Sequence, residues 1–190
     1  HWEKNDNNRK WIHIERDGMA MNVNRPIDVP LVGDIRDVVP QLIEALAATP
    51  RTPSAEFTQW KTLQQQWKAE LLASVPSGSR PVHLARFIVE ATKAIPGDAI
   101  YAADGGSVTI FGWTYSQYQP RDLVWNQNTG HLGTGLPYAV GAAIAADGKR
   151  PVVLVTGDSS FMFHIAELET AVRKKLPIVC VVGCDYSWGL

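Results

Sequence analysis

Three short stretches of this sequence combine carboxylates, hydroxyls and glycines in a way that suits a phosphate and a divalent cation. They are Asp104-Gly105-Gly106-Ser107, Gly157-Asp158-Ser159-Ser160 and Gly183-Cys184-Asp185-Tyr186-Ser187. The middle stretch is the most telling. A tight turn at Gly157 delivers Asp158 to the end of an apolar run, and the residues after it open a helical pattern. Backbone N–H groups and the hydroxyls of Ser159 and Ser160 at a helix start could hold a phosphate, helped by the helix dipole. A carboxylate repels a bare phosphate, so Asp158 makes chemical sense there if Mg2+ lies between it and a diphosphate. One helix and one strand later Asp185 arrives at an equivalent place. Two hard oxygen ligands from neighbouring strand ends form half a cage, to be completed by phosphate oxygens, a backbone carbonyl and water. The alternative reading is that Asp158 and Asp185 are helix N-caps or turn residues, a common use of Asp at strand-to-helix junctions.

The elements that would position these residues alternate in type. Helical patterns over 81–95 and 136–146, and one beginning after Gly105-Gly106-Ser107, alternate with strand patterns over 98–104, 122–125, 151–158 and 177–183. A further helix is expected over 161–175, with Phe161, Ile165, Leu168 and Val172 inward. Near-continuous apolar strands separated by helices predict a parallel sheet covered on both faces, in which ligands bind beyond the carboxyl ends of the strands. Twelve of the 15 glycines follow residue 80, where close backbone approach is needed. Before them, WIHIERD (11–17) and the stretch from Val29 to Asp34 read as short strands. Asp34 is placed to cap a helix bearing Val38, Leu42, Ile43 and Leu46. A proline-containing stretch, TPRTPS (49–54), precedes a helix of about 20 residues, whose Phe57, Trp60, Leu63, Trp67 and Leu71 form one face. That aromatic face is expected to be a packing surface. The resulting division is 1–48, a linker with its helix at 49–80, and a second domain from 81 to 190.

The block GDSSFMFHIAELETAVRKKLPIVCVVGCDYSWG (157–189) resembles the thiamine diphosphate signature, which opens with Gly-Asp-Gly and closes with paired asparagines. Gly157-Asp158 matches the opening, and Cys184-Asp185 stands where the asparagines would be. Glu167-Leu168, Thr170-Ala171, Leu176-Pro177 and the upstream NTGHLGTGLPYAVGAAIA (128–145) resemble the acetolactate-synthase branch of the family, which also contains 2-oxoacid decarboxylases and carboligases. IHIERD (12–17) and DVPLVGD (28–34) resemble the end of that family's central domain. The resemblance implies an α/β thiamine diphosphate-binding fold over 81–190, preceded by part of a second, Rossmann-like α/β domain.

Carried over by position, the resemblance implies that Asp158, Asp185 and the Ser187 carbonyl bind Mg2+. Ser159, Ser160 and the Gly105-Gly106-Ser107 turn would face the diphosphate, beside Gly157. Gly130 would offer its carbonyl to the aminopyrimidine, and Leu132 would be the apolar residue beneath the cofactor that bends it so that its amino group reaches the thiazolium carbon. That carbon attacks a carbonyl, and the ring then serves as an electron sink. His131 lies beside the expected reacting ring. It reads either as a substrate contact or as an ordinary loop histidine. His164 reads as structural, Cys180 as core, and the role of Trp188 is open.

Three departures from the family pattern have consequences. Ser159 replaces the third signature glycine, which is tolerable only if φ there is not positive. Cys184 replaces the first asparagine and loses a side-chain hydrogen bond. Asp185 in place of asparagine keeps an oxygen ligand and adds a charge.

The family's activating glutamate belongs to a pyrimidine-binding domain that the resemblance does not find in these 190 residues. The expectation is therefore a portion of a homodimeric or homotetrameric lyase or transferase acting on 2-oxoacids or related acyl donors, inactive by itself. The resemblance leaves open whether the central domain holds FAD. The alternative is a noncatalytic phosphate-ligand-binding or oligomerisation module. A net charge of -1 gives no basic surplus for a nucleic-acid partner. No apolar run approaches the ~20 residues of a membrane span. Without a secretory h-region or a disulfide framework, the location expected is cytoplasmic.

Overall fold

The computed structural model describes residues 9–23, 25–49, 51–126 and 130–188. The chain divides into two compact units, His1–Thr62 and Leu63–Leu190. In the first, β1 (Ile12–Glu15) and β2 (Val29–Val32) pair in parallel, Ile12 opposite Val29. Helix α1 (Ile35–Ala47) follows, and the Asp34 carboxylate caps it by accepting the Arg36 N–H at 2.9 Å. The division between the units falls inside α2 (Ala55–Ala73), on which Phe57, Trp60 and Trp67 are all exposed.

The second unit carries α3 (Leu84–Lys93), β3 (Ile100–Ala103), α4 (Gly106–Tyr115), β4 (Asp122–Val124), α5 (Gly135–Ala146), β5 (Val152–Gly157), α6 (Asp158–Met162), α7 (Glu167–Arg173) and β6 (Ile178–Gly183). Its four strands are all parallel, in the order β4-β3-β5-β6. Strand alternation divides the core in two. Ile100, Ala102, Val152 and Leu154 pack with Leu136, Ala139, Val140 and Ala143 of α5 and Ala171 of α7. Tyr101, Ala103, Val153 and Val155 face the other way, with Ile88 of α3 and Val108 of α4. The sheet is therefore sandwiched as the apolar strand pattern predicts. No helix among the described residues is long and apolar enough to cross a membrane.

Two sequence expectations fail here. The helix expected over 161–175 is broken: α6 ends at Met162, α7 begins at Glu167, and turns lie between. The N–H groups of Glu167, Leu168 and Glu169 each bond three residues back, to His164, Ile165 and Ala166. Such tight turns advance the chain at about three residues per turn and shift the phase of any face. Phe161 and Leu168 still pack on the core, but Ile165 is 39% and Val172 77% exposed, instead of inward. Nor is the last strand fully buried. β6 is an edge strand among the described residues, Val179 is 56% exposed, and Cys180 is only half-buried. Apolar content marks a strand but not its rank in the sheet.

Candidate functional site

The C-terminal ends of β3, β5 and β6 open onto one cleft of about 390 Å³. All three stretches singled out by their chemistry line it: Gly105, Gly106 and Ser107; Gly157, Asp158, Ser159 and Ser160; and Asp185 with Ser187. Leu132 lines it too, from a loop distant in sequence. Parallel pairing brings the second and third stretches side by side, with Gly157 in register with Gly183. A Cβ on Gly183 would stand 3.2 Å from the Phe87 ring and 3.4 Å from a Val108 methyl, so the backbone itself forms the wall there. Phe87, Val108 and Trp188 add apolar lining, and Trp188 packs edge-on against Phe163 with ring centroids 5.4 Å apart.

The first residues of α4, Gly106 to Val108, also line this cleft. The helix N-cap, Gly105, makes no side-chain capping bond, and Gly106 takes the left-handed φ of 80° that favours glycine. The missing side chain at Gly105 has a second use. A Cβ there would lie 2.4 Å from Leu132 Cδ2 and 3.3 Å from the Gly130 carbonyl oxygen. Leu132 and Gly130, both expected at the site, are thus drawn onto the Gly105 turn.

Asp104, the residue before that turn, was singled out with its stretch but given no role of its own. Its side chain is buried, 1% exposed, at the end of β3. Oδ1 accepts the N–H groups of Gly105 and Gly133, both at 2.8 Å, and Oδ2 accepts the N–H of Gly135 at 3.0 Å. Its own carbonyl accepts Thr109 Oγ1 at 2.6 Å and Trp125 Nε1 at 2.8 Å. Gly135 opens α5, whose N-cap Thr134 makes no side-chain capping bond, so Asp104 caps α5 from the end of the neighbouring β3. A carboxylate at the positive end of a helix is favourable, and three N–H donors make its burial tolerable. The signal was present in sequence as an Asp at a strand end together with glycines at 133 and 135, but pairing them needs the fold.

Asp158 and Asp185 sit on the cleft rim in a local hydrogen-bond network. Asp158 Oδ1 accepts the Ser159 N–H at 2.9 Å, and Oδ2 accepts the Tyr186 N–H at 2.9 Å. Asp185 Oδ1 accepts the Ser187 N–H at 3.0 Å, and the Ser187 carbonyl accepts the Ser159 hydroxyl at 3.0 Å. Tyr186 turns the chain in the left-handed region at φ 59°. These bonds gather two carboxylates and one backbone carbonyl on a single rim. They also realise the turn-residue reading of both aspartates. Ser159 takes no positive φ, so the replacement of glycine is accommodated. Its N–H and hydroxyl are already donated within the protein, however, contrary to the expectation that both await a phosphate. α6 has only five residues, so its dipole contributes little. Among the described residues no group of three or more His, Cys, Asp or Glu side chains gathers to hold a metal. Any cation on this rim would rely on two carboxylates, the backbone and oxygens of its ligand.

The remaining candidates separate. His131 does not line the cleft; it is exposed, and its carbonyl accepts the Thr134 hydroxyl at 3.1 Å. His164 is structural, its Nδ1 donating to the Gly133 carbonyl at 2.8 Å. A carbonyl only accepts, which fixes the proton on that nitrogen. Cys184 lines the cleft, whereas Cys180 does not, and partial burial pushes the Cys180 thiol up, away from thiolate reactivity.

Comparison with known proteins agrees with this geometry. Residues 104–190 match the family described as thiamine pyrophosphate enzyme, C-terminal TPP binding domain. The chain is 31% identical over 172 residues to acetolactate synthase isozyme 3 large subunit of Escherichia coli, covering 90% of this chain and 30% of that protein. It is 31% identical over 180 residues to human 2-hydroxyacyl-CoA lyase 1, covering 91% and 31%. The acetolactate synthase large subunit of Haemophilus influenzae is 28% identical over 189 residues, 99% of this chain and 33% of that protein. The chain thus spans about a third of the length of these relatives. Residues 104–190, which carry the ends of β5 and β6 and most of the cleft lining, thus belong to the thiamine pyrophosphate enzyme family by their C-terminal TPP binding domain.

Proposed function

We propose that the cleft at the ends of β3, β5 and β6 binds the diphosphate of thiamine diphosphate through Mg2+. On this reading the chain is the cofactor-holding portion of a lyase or carboligase that acts on 2-oxoacids or 2-hydroxyacyl thioesters. The observation that carries the reading is the convergence of the Gly105–Ser107 turn, Leu132, Asp158, Asp185 and Ser187 on one cleft from four separate stretches. The donor set fits the group: two carboxylates and a carbonyl are hard oxygen ligands suited to Mg2+, which prefers to share its shell with phosphate oxygens and water. The lining is also closely packed, with Leu132 occupying the space beside Gly105 and Phe87 and Val108 the space beside Gly183.

When bound, thiamine diphosphate supplies a nucleophilic thiazolium carbon and an electron sink for cleaving or forming a bond next to a carbonyl. The residues of this chain bind and orient. Asp158 and Asp185, with the Ser187 carbonyl, would hold the cation. The Gly105–Ser107 turn at the start of α4 would face the diphosphate, and the family placement of the Gly130 carbonyl would hold the aminopyrimidine. Leu132 would sit beneath the cofactor, and the apolar lining added by Phe87 and Trp188 would exclude water from it. The two kinds of relative, acetolactate synthase and 2-hydroxyacyl-CoA lyase, support a carbonyl-based acyl donor. Among the described residues no glutamate lines the cleft, and we also propose that this chain alone does not turn over 2-oxoacids. Measurable conversion of pyruvate by it would overturn that part.

Calorimetry with thiamine diphosphate, with and without Mg2+, tests the reading on wild type and Asp158→Ala. Binding that needs Mg2+ and disappears in the variant is the expected result. Metal-independent binding, or equal binding of unrelated nucleotides, would overturn it in favour of a general phosphate-ligand module.

A further inference from the structure

The loop carrying Leu132 is held at one residue, Gly133, from two sides. The Gly133 N–H donates to Asp104 Oδ1 at 2.8 Å, and the Gly133 carbonyl accepts from His164 Nδ1 at 2.8 Å. Gly133 itself takes φ 88°, and a Cβ there would stand 2.5 Å from Phe163 Cβ and 3.0 Å from His164 Nδ1. The same Asp104 oxygen that takes the Gly133 N–H also takes the Gly105 N–H. One atom thus ties the turn that faces the cleft to the residue after Leu132, and Leu132 Cδ2 fills the space that Gly105 leaves open.

We infer that Asp104 and His164 are positioning residues, which clamp Gly133 by its N–H and its C=O and thereby hold Leu132 against Gly105 before any ligand arrives. Neither side chain lines the cleft, so both act through the loop. Their roles differ in kind. Asp104 is buried and also caps α5, so its loss touches the whole unit. His164 is exposed, and among the described residues its side chain bonds only to Gly133, so loss of the ring should loosen the loop and little else. The importance of the clamp for cofactor binding rests on the reading under Proposed function; its existence does not.

The test uses the full chain with His164→Ala and His164→Gln, and Asp104→Asn as a second site. The first measurement is amide hydrogen exchange without ligand. His164→Ala should speed exchange at Gly133 and Gly135 about three- to ten-fold, the effect of one lost hydrogen bond. The β5 amides and the melting temperature should stay unchanged. Gln retains an N–H donor and should restore much of the protection. Asp104→Asn should speed exchange at Gly135, where an amide nitrogen would replace one acceptor oxygen. The second measurement is calorimetric affinity for thiamine diphosphate with Mg2+, expected to fall about three- to ten-fold in His164→Ala and to recover in His164→Gln. Unchanged exchange at Gly133 and Gly135 in His164→Ala overturns the clamp, as does exchange in His164→Gln as fast as in His164→Ala. If wild type binds no thiamine diphosphate, the cofactor reading fails by itself, and the exchange measurement still decides the clamp.

Discussion

Replacing Asp104 by Ala removes the acceptor for three backbone N–H groups at once, those of Gly105, Gly133 and Gly135. Each buried donor left without a partner costs about 1–3 kcal/mol, which sets a range of about 3–9 kcal/mol. Two corrections move the expected value toward the low end. Gly105 belongs to the cleft lining, so water entering from the cleft can re-solvate part of the loss. Removing the carboxylate also relieves the cost of burying its charge. A loss of about 3–5 kcal/mol follows, a large share of the ~5–15 kcal/mol that stabilises a typical domain. Urea unfolding of wild type, Asp104→Ala and Asp104→Asn would measure it. The Asn variant separates acceptor geometry from size. Its single carbonyl oxygen can take the place of Oδ1 and keep two N–H partners, while its amide nitrogen would face the Gly135 N–H. It should therefore fall between wild type and Ala, about 1.5–3 kcal/mol below wild type. A loss within ~0.5 kcal/mol of zero for Asp104→Ala, or an Asn variant as damaged as Ala, would refute the acceptor count.

Two other outcomes follow from the packing. Burial raises the Tyr101 hydroxyl from 10.0 to about 12, so the folded chain keeps its proton after the unfolded chain has lost it. That contribution is fully present below pH 10 and is lost as pH rises toward about 12, and a Tyr101→Phe variant should show a flatter decline over that window in alkaline urea titrations. Glycine substitutions on the two sides of Leu132 should diverge. At Gly133 an added Cβ meets the Phe163 Cβ at 2.5 Å and φ is 88°, so Gly133→Ala should lower the unfolding free energy by at least ~2 kcal/mol. At Gly105 the nearest obstacle is the movable Leu132 Cδ2, so Gly105→Ala should cost less than ~1.5 kcal/mol while pushing Leu132 into the cleft and weakening calorimetric binding of thiamine diphosphate.

Much of the site was legible because its residues are constrained locally. Asp158 follows an apolar run at a glycine turn, and the same pattern repeats at Asp185, so strand ends, carboxylates and glycines could be read in order along the chain. The helix over 161–175 misled for the converse reason. Its apolar residues keep an α-helical spacing, but the turns at 163–166 change the phase, and nothing in that spacing records where an N–H bonds three residues back instead of four. His164 already reads as structural in the sequence, whereas His131 stays open between a substrate contact and a loop histidine. Only their placement gives His164 the Gly133 carbonyl and leaves His131 outside the cleft lining.

The sequence by itself determined the parallel α/β class, the three strand-end stretches and the glycines that permit them, because each depends on apolar periodicity and on backbone freedom within a few residues. Tertiary structure alone decided what Asp104 does there. Its three N–H partners include two that lie 29 and 31 residues away, and a carboxylate finds such donors only after β3, α4 and α5 have packed. The same packing decided which side of the sheet is an edge and which serines have already donated their hydrogen bonds. These are long-range outcomes of burial and pairing, and no local pattern carries them.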